Sequence, residues 1–372
     1  MRWLPELPAF PGLRPPELKW LEMVMSSHDA SPENAQAWAF LHLLSEKHSI
    51  KIDQAWQLQT HQTGPYGFFR LTGEMSNHET LDWFLKLVAP QKAKRMLEGQ
   101  VLVDAMMSTH QDLSIDANVV FSVPPMVQGF PDTVSEDVTA LAFPFWEGRF
   151  TDYEGSDLRL LGQALGQLHR RLKNLPQAEK IRAGGEERHA MLTARWKMLL
   201  QSPERMAQLP TEAQACLKAH SPDWLAHLMD DGQPVHGDLN VGNVLFRPDG
   251  RVAFLDFEDS LTAWFDPLKD LAFVIERFVL CVHEPEQLAA MSHTLLDAYQ
   301  AQNPVAIRSE TRFIDLLQGL AIRAFLILAE LQLTTSQEIP KSEWQKFAFL
   351  YNLTFRHETE LKAIAAPYVV KT

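Results

Sequence analysis

Residues 235–259 read Val-His-Gly-Asp-Leu-Asn-Val-Gly-Asn-Val-Leu-Phe-Arg-Pro-Asp-Gly-Arg-Val-Ala-Phe-Leu-Asp-Phe-Glu-Asp. Two short apolar strands, the second at 252–255, are joined by the turn Pro248-Asp249-Gly250, and each delivers polar residues at a fixed place. Asp238 is followed five positions later by Asn243, and Asp256 closes the second strand. That spacing suits the handling of phosphate. One carboxylate can meet an attacking hydroxyl, while an amide oxygen and a second carboxylate are hard ligands able to hold Mg2+ against phosphate oxygens.

Composition sets the outer bounds. The 372 residues are 46% apolar and 22% charged, ordinary globular values with length enough for two domains. A net charge of -13 without a long lysine or arginine run argues against a nucleic-acid partner and suits a soluble, cytoplasmic enzyme. Cys216 and Cys281 lie in apolar-periodic stretches and read as two buried thiols. The amino terminus has prolines and an acid where a secretory signal would be basic and then apolar, so no export is expected. The apolar run 320–331 is short and broken by Arg323 and Glu330, which makes it a core helix and argues against a membrane association.

Along the chain, residues 1–30 read as a weakly patterned, proline-rich extension. Ser31-Pro32 starts a helix that runs to about residue 48. From 55 to 88 the period shifts toward two, which predicts an antiparallel meander whose third strand, 82–88, carries Lys86. A helix over 91–107 contains Glu98, and strands are expected at 118–123 and 140–145. Beyond residue 147 the period is helical, with helices predicted at 158–172, 187–200, 210–220, 267–283, 287–302, 308–333 and 342–366, and a turn at Ala183-Gly184-Gly185-Glu186-Glu187. These divisions give an extension (1–30), a nucleotide-side lobe (31–146) and a helical lobe with the catalytic loop (147–372).

The stretch His236-Gly237-Asp238-Leu239-Asn240-Val241-Gly242-Asn243 resembles the catalytic loop of the aminoglycoside phosphotransferase and choline kinase superfamily, whose members share the fold of protein kinases. Leu255-Asp256-Phe257-Glu258 is similar to the protein-kinase Asp-Phe-Gly segment, with glutamate in the third position. Asp266-Pro267-Leu268-Lys269-Asp270 resembles the helix start that follows in that family. The resemblance implies an α+β bilobal fold, with a small antiparallel sheet lobe and a larger helical one. It implies ATP and Mg2+ as cofactors, Asp238 as catalytic base, and Asn243 and Asp256 as metal ligands. It also implies that Lys86 meets the phosphates and pairs with Glu98. Gly64 and Gly67 would lie in a nucleotide-covering loop, with Phe145 and Glu147 in an inter-lobe hinge. His236 is expected to brace backbone or the neighbouring aspartate, and Asp270 to pin the loop.

The implied reaction is transfer of the ATP γ-phosphoryl group to a hydroxyl of a small molecule: an amino alcohol, or an aminoglycoside-like or sugar-like compound. Glu258, Asp259 and the acidic stretch 147–157 suggest an acceptor bearing ammonium groups. Two alternatives remain: a protein Ser/Thr kinase of the same fold, or a catalytically silent nucleotide-binding module. Against the first stand the missing His-Arg-Asp and Ala-Pro-Glu signatures and the short span from Asp256 to Asp270. No glycine is followed by lysine and no Gly-x-Gly occurs, so Walker A and dinucleotide fingerprints are absent.

Overall fold

The computed structural model describes residues 13, 19–23, 32–59, 66–108, 119–334 and 339–370. Its first part is built on six antiparallel strands: β1 (Trp20–Glu22), β2 (Ile50–Leu58), β3 (Gly67–Met75), β4 (Thr80–Val88), β6 (Asp132–Ser135) and β7 (Val138–Pro144), in the order β1-β2-β3-β4-β7-β6. The helix α1 (Pro32–His48) precedes β2, α2 (Pro90–Ser108) follows β4, and the short β5 (Phe121–Ser122) comes next.

Alternation along β3 and β4 decides which face is core. Phe69, Leu71, Leu81, Trp83, Leu85 and Leu87 are buried and cluster with Leu41 and Leu44 of α1. Each fully buried side chain of this kind contributes about 1.5–3 kcal/mol. The intervening positions Phe68, Phe84 and Lys86 are displayed on the opposite face, toward the helical lobe. Residues 20–22 pair with 56–58, so part of the expected extension is the edge strand of this sheet.

The second lobe contains α3 (Gly155–Lys173), α4 (Ala178–Gln201), α5 (Pro203–Met206), α6 (Thr211–Ala219), β8 (Gln233–Pro234), β9 (Val244–Phe246), β10 (Val252–Phe254), β11 (Trp264–Phe265) and α7 (Leu268–Ile275). A π-helical turn, Glu276–Leu280, then leads to α8 (Pro285–Gln300), α9 (Arg312–Thr334), α10 (Lys341–Arg356) and α11 (Glu358–Ala365). β9 and β10 form the expected hairpin, and β5 joins it in parallel with β10. Helices α3 and α8 approach at Gly162, where an added Cβ would lie 2.2 Å from Leu295 O.

Several local expectations are corrected. The predicted turn at 183–187 lies inside α4, because Gly185 lets the helix pass where a Cβ would come within 2.6 Å of the Trp264 Cβ. The strand predicted at 118–123 narrows to β5, and residue 118 lies outside the described residues. The long helix predicted at 342–366 breaks at His357 into α10 and α11. Both cysteines are buried and unpaired with one another. Among the described residues no helix is long and apolar enough to cross a membrane.

Candidate active site

The loop 236–243 is held from below by α7. Asp270 is fully buried and its Oδ2 accepts the backbone N–H of His236 at 3.0 Å and of Gly237 at 3.4 Å. Lys269, also buried, donates to Gly237 O at 2.5 Å and lies 3.2 Å from Asp270 Oδ1. Gly237 has φ +91°, a left-handed conformation natural to glycine, and a Cβ there would stand 2.9 Å from the Ala263 Cβ. Burial alone would raise the Asp270 carboxyl, but Lys269 and His169 reverse it and hold it well below the usual carboxylate range.

His236 has no solvent exposure. Its Nε2–H donates to Leu255 O at 3.0 Å and its Nδ1 accepts the Asp238 N–H at 3.3 Å, which together define the neutral tautomer. Burial pushes its pKa down, against the pull of Asp270 and Asp238. The imidazole thus braces the two strands of the site. Asp238 carries hydrogen bonds from both neighbouring amides: Asn240 Nδ2 donates to Oδ1, and Asn243 Nδ2 lies 3.2 Å from Oδ2. Its carboxyl is raised by burial and further by the charge of Asp259.

Asn243 also donates Nδ2 to Asp238 O at 2.9 Å, which leaves its amide oxygen without a hydrogen bond among the described residues. Asp256 has φ +65°, a strained left-handed conformation for a non-glycine residue. Its Oδ1 is buried without a partner, and its Oδ2 lies 3.6 Å from Lys86 Nζ. Burial would raise this carboxyl, but Lys86 and Lys92 keep it low. Lys86, Asn243 and Asp256 line one cavity of about 1160 Å³ between the lobes.

The remaining expected residues are placed as follows. Phe145 and Glu147 line that cavity, and Arg70, held by Asp82 in a two-point contact, lies 3.9 Å over the Phe145 ring. The Phe145 N–H is committed to Asp82 O at 2.9 Å, so it cannot also serve a ligand. Gly148 permits the hinge to approach β9, where a Cβ would be 2.6 Å from Leu245 Cγ. Gly67 opens β3 opposite Leu87, beside the cavity-lining Phe68, and Gly64 lies outside the described residues.

Glu98 is not brought to Lys86. The face of α2 that meets the site carries Met96, Gly99 and Gln100, and a Cβ on Gly99 would fall 2.5 Å from Phe257 O. Glu98 sits beside that face, half-buried, and the ion pair of Lys86 is with Asp256. Sequence reading missed Trp20, whose ring stands 6.4 Å from Phe84 and 6.0 Å from Phe145 at the cavity wall. The alternation of Trp20 and Glu22 about Leu21 in a proline-rich stretch was the only signal, and it is too short to decide a strand.

A bilobal α+β fold with a lysine-bearing strand facing Asn243 and Asp256 across an inter-lobe cavity defines the kinase-like class. Residues 140–313 match the model of the phosphotransferase enzyme family. The fold is shared with solved phosphotransferases. A mutant aminoglycoside 2'-phosphotransferase IIIa in complex with GDP superimposes with TM-score 0.53 at 12% identity, covering 87% of this chain and 99% of that one. A macrolide 2'-phosphotransferase from Brachybacterium faecium gives 0.50 at 18% identity over 84% and 97%. An amicoumacin kinase in complex with AMP-PNP, Ca2+ and its antibiotic gives 0.50 at 15% over 87% and 92%. No curated protein is similar enough in sequence to match.

Proposed function

We propose that this phosphotransferase moves the γ-phosphoryl group of ATP to a hydroxyl of a small molecule. The observation that carries the reading is that Lys86, Asn243 and Asp256 share one inter-lobe cavity while Asn243 reaches 3.2 Å to Asp238, linking phosphate side and acceptor side by a single amide. In the transfer, an oxygen–phosphorus bond forms to the acceptor, and the bond between Pγ and the bridging oxygen breaks with its electron pair leaving on ADP. The acceptor proton passes to Asp238 and then to solvent. An aspartate is too weak a base to ionise an alcohol outright, so Asp238 works first by orienting the hydroxyl.

The residues fit a divalent cation of the Mg2+ type: Asp256 Oδ1 is an orphaned buried carboxylate oxygen, and the Asn243 amide oxygen is uncommitted. Two protein donors suit an ion that completes its shell with phosphate oxygens and water. Asn243 and Asp256 would hold it, and it would neutralise charge on the transferred group. Lys86 meets the remaining phosphate charge. Phe68, Phe84, Phe143, Phe145 and Trp146 supply apolar walls suited to a purine. The nucleotide-bound state of the amicoumacin kinase supports the assignment of the cavity to ATP. We take residue 147 as the division between the lobes, with 20–22 added to the six-stranded sheet and β5 paired with β10 of the helical lobe.

The test is incubation with γ-labelled ATP, Mg2+ and a mixed pool of small hydroxyl compounds, followed by separation of small-molecule and protein fractions. Label in the small-molecule fraction that disappears in Asp238→Asn, with nucleotide binding retained, is expected. Label confined to protein would favour a protein kinase, and no transfer with an indifferent Asp238→Asn would favour a silent module.

A further inference from the structure

Resting on the assignment of the cavity to ATP, a further role falls to two residues of the sheet. β3 and β4 pair with Phe68 opposite Lys86, Arg70 opposite Phe84 and Thr72 opposite Asp82, so Arg70 and Asp82 stand on the same face as Lys86. Arg70 Nε and Nη2 donate to the two carboxylate oxygens of Asp82 at 3.0 and 2.8 Å, a two-point contact that fixes the plane of the guanidinium. Its central carbon lies 3.9 Å from the centre of the Phe145 ring, with the Trp56 ring 5.6 Å away. Phe145 lines the cavity and Arg70 does not, so the ring stands between the guanidinium and the ligand space.

Asp82 grips the same residue a second time. Its carbonyl accepts the Phe145 N–H at 2.9 Å, so backbone and side chain of Asp82 together set the position of the hinge strand and the tilt of its ring. The Trp20 ring stands 6.0 Å from Phe145, inclined at 71°, and limits its movement in another direction. A cation on one face of a ring draws π density toward it, which suits the opposite face to an electron-rich purine. Two more arginines lie over cavity-lining rings, Arg247 4.2 Å from Trp146 and Arg149 5.2 Å from Phe246, but both line the cavity themselves and have direct access to a ligand. The route from Arg70 to a ligand runs through Phe145.

We propose that Arg70 and Asp82 are positioning residues for the nucleobase: they hold Phe145 as a fixed stacking wall and so contribute to the affinity for ATP through its base and not through its phosphates.

The test compares a ligand that has a base with one that has none. Dissociation constants of AMP-PNP and of tripolyphosphate, each with Mg2+, are measured by isothermal titration calorimetry on wild type, Arg70→Gln, Arg70→Lys and Asp82→Asn. Removing one positive charge weakens both ligands to a similar extent, so the ratio of the two constants reports the base. Arg70→Gln is expected to weaken AMP-PNP about fivefold or more relative to tripolyphosphate. Arg70→Lys, which keeps the charge and loses the two-point contact, should do so by less, and Asp82→Asn, in which Arg70 is present but released, should shift the ratio in the same direction. Retained binding of tripolyphosphate certifies the fold of each variant. Equal weakening of the two ligands, or an AMP-PNP affinity unchanged in both Arg70→Gln and Asp82→Asn, overturns the proposal and leaves the assignment of the cavity to ATP standing. Wild type that binds neither ligand overturns that assignment, and the proposal with it.

Discussion

Lys86 Nζ lies 3.6 Å from Asp256 Oδ2, and neither group has another ion-pair partner among the described residues. The pair joins the sheet lobe to the helical lobe at the point where phosphate is expected. Replacing Lys86 by Met leaves a buried carboxylate without its cation, so unfolding in urea should show a loss of about 1–3 kcal/mol at neutral pH. Because Lys86 depresses the Asp256 carboxyl, the stability it confers is present above the ordinary carboxylate range and is lost as pH falls through the lower folded value. The gap between wild type and Lys86→Met should therefore close in acid. A constant gap from neutrality to acid would show that lost packing, not the pair, explains it.

Asp238 should announce its raised carboxyl in the pH dependence of the reaction. Burial comes first among the causes, and the charge of Asp259 adds to it. Transfer needs the ionised form, so kcat/KM should fall as pH drops, along a limb that lies above the ordinary aspartate value of about 3.9. Asp259→Asn removes a repelling charge and should move that limb toward lower pH. A limb that stays put in Asp259→Asn would mean another group controls it.

Asp270 contributes at one remove. It anchors His236 and Gly237 by their backbone N–H groups and lies 3.2 Å from His169 Nε2, whose other ring nitrogen meets Tyr299 OH at 2.9 Å. Asp270→Asn should cost about 3 kcal/mol, since it strips the carboxylate from a buried cluster holding Lys269. Its folded-state carboxyl is depressed, so this cost should be full above the unfolded aspartate range and shrink as pH falls below it. In kinetics the expected signature is a lower kcat with an unchanged KM for ATP. A change confined to KM for ATP would remove Asp270 from the acceptor side.

Legibility of the site followed sequence distance. Asp238, Asn243 and Asp256 sit within one hairpin, so local spacing alone brings them together, and β9 and β10 pair as their alternation predicts. Lys86 was visible because a cation interrupts a strongly alternating strand. Its partner was not: whether α2 turns Glu98, Gly99 or Gln100 to the site depends on how closely Gly99 packs on Phe257, and that is a tertiary contact. Gly184 and Gly185 failed as turn signals for the same reason, since close packing on Leu261 and Trp264 selects glycine within a helix.

Trp20 provides the clearest case of a cavity-wall position supplied from outside the recognisable motifs. β1 has three residues and pairs only with β2, so propensity does not explain its place; the ring does, by covering Phe84 and Phe145 at the cavity wall. Aromatic contacts of this kind contribute about 0.5–1.5 kcal/mol beyond the area they bury. If Trp20 faces the base of the nucleotide, Trp20→Ala should raise KM for ATP by roughly threefold to tenfold, the kinetic equivalent of that energy, with kcat nearly constant. Trp20→Phe should recover most of it, since a ring remains against Phe84. An equal fall in kcat for both variants would instead indicate that β1 sets the position of the whole sheet. A KM that does not move would confine Trp20 to closing the sheet edge.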